Sequence, residues 1–223
     1  MAVIPARPRP FEIDAARTAL VVIDMQHEFL SPGGWIEAMG LDVGRLAPVI
    51  PVVAQLLAAA RDAGITVIHT REGYRPDLAD CPPAKRDRCD PPLGATGRRG
   101  RYMILGEPGH DIIPEVAPLL GEIVVDKPGA GAFHATLMDQ ILRLRGITRL
   151  LICGVTADVC VNATLYEAND RGYESLLISD ATGSYDDFSA GAVVAIAANG
   201  VVGVVATADA VCTALASLPR ITA

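Results

Sequence analysis

Asp24, Lys127 and Cys160 are the side chains of this sequence that combine into one reactive set. A cysteine attacks as its thiolate, so it needs a base for its proton and a positive charge beside the anion. Asp24 suits the base, and the proton it collects can then pass to a departing amine. Lys127 suits the charge. Cys160 lies in residues 150–161, LLICGVTADVCV, where a branched apolar run turns at Gly154 and a helix is expected from about Asp158. The first turn of a helix carries partial positive charge and free N–H groups. Both favour a thiolate and can hold a developing oxyanion. Each residue also has an ordinary explanation: a buried inert cysteine, an aspartate capping a loop, a solvated lysine.

The elements that must position them alternate regularly. Residues 18–24, TALVVID, form an apolar run ending on a carboxylate, as a parallel strand covered on both faces does. Leu46, Val49, Ile50, Val53, Leu56 and Leu57 recur at helical spacing within 43–63, with Pro48 and Pro51 in the first turns. Strands are expected at 65–70, 122–126, 149–153, 174–179 and 201–206, and helices at 135–145, 158–171, 187–198 and 208–218. This alternation predicts an α/β fold in one domain over residues 1–223, with a parallel sheet and right-handed crossovers. Ligands then bind at the carboxyl ends of the strands, where Asp24, Lys127 and Cys160 all fall. Two segments break the rhythm. Residues 1–12, with Pro5, Pro8 and Pro10, read as an extended arm. Residues 73–109, rich in proline, arginine and aspartate, read as an active-site lid. Arg71, just before that lid, is expected to contact substrate carbonyl oxygens.

Composition narrows the partners. Net charge is −7 with no basic stripe, which argues against nucleic acid. No apolar run approaches the ~20 residues of a membrane helix, and the first ten residues lack the apolar core of a secretory signal. Five cysteines without a framework pattern predict free thiols in a reducing cytoplasm. The four histidines form no metal-ligand pair, so no metal is expected. The GAGAF of residues 129–133 lacks the full dinucleotide spacing, and no cofactor is expected; Gly129 and Gly131 instead let backbone approach the site beside Lys127.

The chain resembles the isochorismatase-like cysteine hydrolases through ALVVIDMQHEFL, DKPGAGAF and CGVTADVCVNATLYEANDRGYESLLISDATG, taken in order. The resemblance implies a three-layer Rossmann-like fold with a six-stranded parallel sheet in order 3-2-1-4-5-6, and a homodimer or homotetramer. It implies a catalytic triad of Asp24, Lys127 and Cys160. It also implies a cis peptide between Val155 and Thr156 that aims a backbone N–H at the substrate oxygen, alongside that of Cys160. Within the superfamily, HTREGYRPDLADCPPAKR and GEPGHDIIPE look like the branch containing biuret hydrolase. That implies a small linear ureide as substrate and ammonia as a product. Phe29 matches a pocket-lining position, and Gln26 and Asn199 are placed with the substrate contacts. Asn199 stands where biuret hydrolases have Gln, and Ala130 where they have Lys; both reduce side-chain volume and lean the expectation to triuret over biuret. The alternatives are a ureidoacrylate- or carbamoyl-compound amidohydrolase and, in a different class, a thiol sensor or small-molecule-binding protein using Cys160 without turnover.

Overall fold

The computed structural model describes residues 1–219. Six parallel strands form the central sheet: β1 (Thr18–Ile23), β2 (Thr66–Glu72), β3 (Ile123–Lys127), β4 (Arg149–Val155), β5 (Glu174–Gly183) and β6 (Val204–Ala206). Their order is β6-β5-β4-β1-β2-β3, the expected 3-2-1-4-5-6. The order reverses between β1 and β4, so a crevice opens where those two strands end.

Helices cover both faces, which is why the central strands are apolar on both sides. One face packs under α1 (Val49–Asp62) and, through Val211 and Leu215, under a C-terminal helix, Ala208–Ala216. The other packs under α2 (Met138–Leu144), α3 (Asn162–Asp170) and α4 (Asp187–Ala198) through Met138, Leu142, Leu165, Val193 and Ala197. Residues Val43–Asp62 are long and apolar enough to cross a membrane by length and composition alone. In the fold only 49–62 are α-helical, and Val53, Leu56, Leu57 and Ala60 are wholly buried on the sheet.

Several boundaries differ from expectation. Strand β2 runs two residues further than 65–70, to Glu72, and β5 continues to Gly183. Helix α2 starts at Met138 rather than near 135, because Ala135 takes a left-handed φ of 54°. The 1–12 segment is extended but not free. Ala2–Ile4 pairs antiparallel with Phe11–Ile13, and Arg7 exchanges two backbone hydrogen bonds with Val205, covering the β6 edge. Residues 73–109 hold a one-turn helix, Pro83–Arg86, and a two-residue ladder, Thr96–Gly97 with Gly100–Arg101. The Glu28 carboxylate ties this loop down by accepting the Met103 N–H at 2.9 Å.

Candidate active site

Strand β1 delivers Asp24 to the crevice. Its φ of 48° is a left-handed value that aspartate tolerates better than most residues, and it turns the chain at the strand end. The Thr70 hydroxyl donates to Asp24 Oδ1 at 2.6 Å. Asp24 Oδ2 lies 2.7 Å from Lys127 Nζ, as an ion pair without hydrogen-bond alignment, so this oxygen has no donor. Lys127 ends β3 and is 0% exposed. Its ammonium donates to the carbonyls of Gly129 and Ala130, each at 2.8 Å. The loop also packs closely on α3, where a side chain at Gly131 would strike the Glu167 carboxylate.

Cys160 sits on a wide five-residue turn, Ala157–Val161, that leads into α3. The Val161 N–H reaches back five residues to the Thr156 carbonyl at 3.1 Å, and such turns recur at functional sites. Strand β4 approaches β1 closely there: at Gly154, φ 113°, any side chain would collide with the Ile23 backbone. Cys160 is thereby brought beside Asp24 with 3% of its surface exposed.

A fourth residue, not among those expected from the sequence, completes the cluster. Glu72 ends β2 and is the register partner of Lys127 on β3. Its Oε2 accepts from the Cys160 thiol at 3.2 Å and lies 3.5 Å from Lys127 Nζ. Its Oε1 accepts from the Tyr74 hydroxyl at 3.3 Å and from Lys85 Nζ, in the loop, at 3.4 Å. Strand parity was the available signal. Side chains alternate, so Thr70 and Glu72 share the face of Ile68 and Arg71 does not. Ending the strand at residue 70 hid this alternation.

Burial, opposed by Lys127, leaves Asp24 more basic than an ordinary aspartate. Burial also pushes Glu72 up, but the charges of Lys127 and Lys85 outweigh it and hold Glu72 below the usual range. Burial would lower Lys127; Asp24, Cys160 and Glu72 more than reverse this and keep it charged. The Cys160 thiol is raised well above normal, by burial first, with Lys127 working against that. Cys153, in the middle of β4, is raised by burial alone, with no cation to offset it. The resting site therefore pairs a neutral thiol with a carboxylate prone to take a proton, Asp24, and one prone to stay ionised, Glu72.

Other expected site residues fall in different places. The Val155–Thr156 peptide is cis. Phe29 is buried on a short helix, His27–Leu30, and its carbonyl accepts from the Tyr185 hydroxyl at 2.9 Å. The Gln26 amide is fully engaged: it donates to the carbonyls of Glu72 and His110 and accepts the Glu72 N–H at 2.7 Å. It thus splints the end of β2 and has no donor left for a substrate. Arg71 points away from Cys160, ion-paired with Asp126 at 2.7 Å and Asp111 at 3.5 Å. Asn199 corrects the expectation most. It is the exposed C-terminal cap of α4, its side chain accepting the Val201 N–H. A crossover helix runs antiparallel to its strands, so its C-terminus lies at the end of the sheet opposite the crevice. Asn199 therefore adds no space to the pocket. As for metals, Asp24, Glu72 and Cys160 place ligand atoms within 4.8 Å of one another, but the Lys127 ammonium already sits among them as the cation.

Known proteins resemble this chain in sequence and in fold. A family profile described as Isochorismatase domain matches residues 18–209. The ureidoacrylate amidohydrolase RutB of a Methylorubrum extorquens strain is 36% identical over 185 residues, 80% of this chain and 75% of that protein. A crystal structure of a cysteine hydrolase from Pseudomonas syringae pv. phaseolicola superposes with a TM-score of 0.81 at 27% identity, covering 96% of this chain and 98% of that one. The N-carbamoylsarcosine amidase of Thermoplasma acidophilum superposes at 0.66 with 26% identity, over 86% and 97% of the two chains.

Proposed function

The chain belongs to the isochorismatase family, a cysteine hydrolase acting on non-peptide amide bonds, and from that premise we propose that its substrate is a small ureido acid of the ureidoacrylate type. The observation that carries the chemistry is the Cys160 thiol buried beside two carboxylates of opposite proton preference, with Lys127 between them. In the proposed reaction Sγ attacks the terminal ureido carbonyl as its proton moves to Asp24. The carbonyl π electrons shift to oxygen, which the N–H groups of Thr156 and Cys160 receive. Collapse of this adduct breaks the terminal C–N bond, and ammonia leaves with the proton from Asp24. Water then gives a proton to Asp24 and adds to the S-acyl carbon. The C–S bond breaks, the N-carboxylated product departs, and Asp24 returns the proton to the thiolate. Lys127 stays charged throughout and steadies each anion in turn.

An acidic rather than neutral ureide is favoured by charge. Residues 73–109 carry seven lysines and arginines against five aspartates and glutamates, a net +2, while the whole chain is −7, leaving −9 on the remainder. A positive loop above a negative body steers an anion to this edge. Biuret and triuret, neutral molecules, remain the second reading, supported by the loop sequence HTREGYRPDLADCPPAKR. The test is ammonia release from ureidoacrylate, biuret, triuret and N-carbamoylsarcosine. Highest kcat/KM on a ureido acid supports the proposal; a strong preference for biuret or triuret replaces it with the second reading. No turnover of any ureide refutes both.

A further inference from the structure

The acceptor geometry of Glu72 is unlike that of its neighbour. Asp24 is gripped at 2.6 and 2.7 Å. Glu72 has four side-chain partners, Cys160 at 3.2, Tyr74 at 3.3, Lys85 at 3.4 and Lys127 at 3.5 Å, and none is short. A charge-assisted bond to a carboxylate usually closes to about 2.7–2.9 Å. A carboxylate only 9% exposed, with four long contacts, has none of its acceptor sites tightly filled, which leaves it capacity for a closer donor. Its position gives that capacity a use. Oε2 is 3.2 Å from the nucleophilic sulfur. An atom bonded to a carbon that is itself bonded to that sulfur can come within hydrogen-bond reach of Oε2 when the S–C bond is directed towards it. When the thiol proton leaves for Asp24, Oε2 also loses its Cys160 donor and faces a new anion.

We infer that Glu72 is the specificity-determining residue of this site: Oε2 accepts the N–H of the nitrogen that stays on the scissile carbonyl, while Lys85 and Tyr74 hold Oε1 from the loop side. This rests on the ureide reading above and deepens it, because it states what distinguishes a ureide from an ordinary amide here. The carboxylate selects a terminal carboxamide whose carbonyl carries an N–H on the retained side over one that carries a methylene there. Asp24 is committed to the thiol proton instead: Thr70 donates to its Oδ1, and Oδ2, with no donor of its own, is the oxygen open to that proton. Lys85 couples the loop to the selection, being shared among Glu72, the Pro128 carbonyl at 3.3 Å and the face of Tyr74 at 5.0 Å.

The experiment compares two acids of equal length, 3-ureidopropionate and glutaramate, which differ only by an N–H against a methylene. The ratio of their kcat/KM values is the readout, or the ratio of their inhibition constants against the best ureide where turnover is slow. Wild type should favour the ureide by more than about a hundredfold, since a site built for an N–H rejects the analogue lacking it. Glu72→Gln and Glu72→Asp should each lower that ratio at least tenfold, whereas loss of a purely structural carboxylate would depress both compounds equally. Should neither Glu72 variant fold, as judged by thermal melting, Lys85→Met decides: the ratio falls at least threefold or the assignment is wrong. Ureide turnover by wild type with an unchanged ratio in the variants overturns the role of Glu72 alone. Absence of all ureide turnover overturns the functional reading and this inference with it.

Discussion

Replacing Lys127 by Met tests the electrostatic core of the site. The substitution keeps most of the side-chain volume and removes a wholly buried ammonium. It strips the cation 2.7 Å from Asp24 and 3.5 Å from Glu72 and frees two carbonyls it held at 2.8 Å. Breaking a buried ion pair from one side costs about 3–5 kcal/mol, and at about 2–4 °C per kcal/mol for a chain this size the melting temperature should fall by about 6–20 °C. The loss should depend on pH. Asp24 already has a folded pKa above its ordinary value of 3.8, through burial, and losing Lys127 raises it further. A carboxylate that binds its proton more tightly folded than unfolded contributes stability at low pH and loses it as pH rises through the folded pKa. The deficit of the variant should therefore be smaller at acid pH, where Asp24 is protonated, and grow as pH rises through its raised folded pKa. The Cys160 thiol also loses the charge that opposes burial, so the pH midpoint of its alkylation should rise. Melting curves across pH and iodoacetamide kinetics measure both effects. A deficit below about 1 kcal/mol, or one that does not vary with pH, would refute the claim that Lys127 compensates these carboxylates.

Cys160→Ser should retain substrate binding and lose turnover by roughly a thousandfold or more, because a hydroxyl is far harder to ionise beside Asp24 than a thiol; near-wild-type kcat would end the nucleophile assignment. Cys153→Ala should keep full kcat and cost only about 1–2 kcal/mol of stability, read by denaturant unfolding. Prolonged chelation should leave activity intact, with Lys127 as the resident cation; activity lost in step with a stoichiometric metal would reverse that view. Arg71→Ala should change kcat/KM by less than about twofold, since the ion pairs it forms lie on the far side of β2, and a larger drop would place Arg71 at the substrate after all.

The alternation of strands and helices and the residue types at the strand ends are legible in the chain before any folding is known. Both are local properties: apolar runs such as TALVVID, helical spacing in 49–62, and reactive side chains just after them. With the family resemblance, these also anticipated the strand order and the meeting of Asp24, Lys127 and Cys160 from three distant parts of the chain. Which side of each element faces the crevice is settled by packing between elements distant in sequence. One residue of strand length separated the expected contact, Arg71, from the actual neighbour of Cys160, Glu72, because successive side chains point to opposite faces. Helix direction did the same for Asn199, which local sequence cannot assign to either end of the sheet. Gln26 looked like a substrate contact until the packing of β2 and the 108–110 turn consumed every group on its amide. Proton preference, too, belongs to the fold: Asp24 and Glu72 are both carboxylates at strand ends, and the second cation, Lys85, reaches only Glu72.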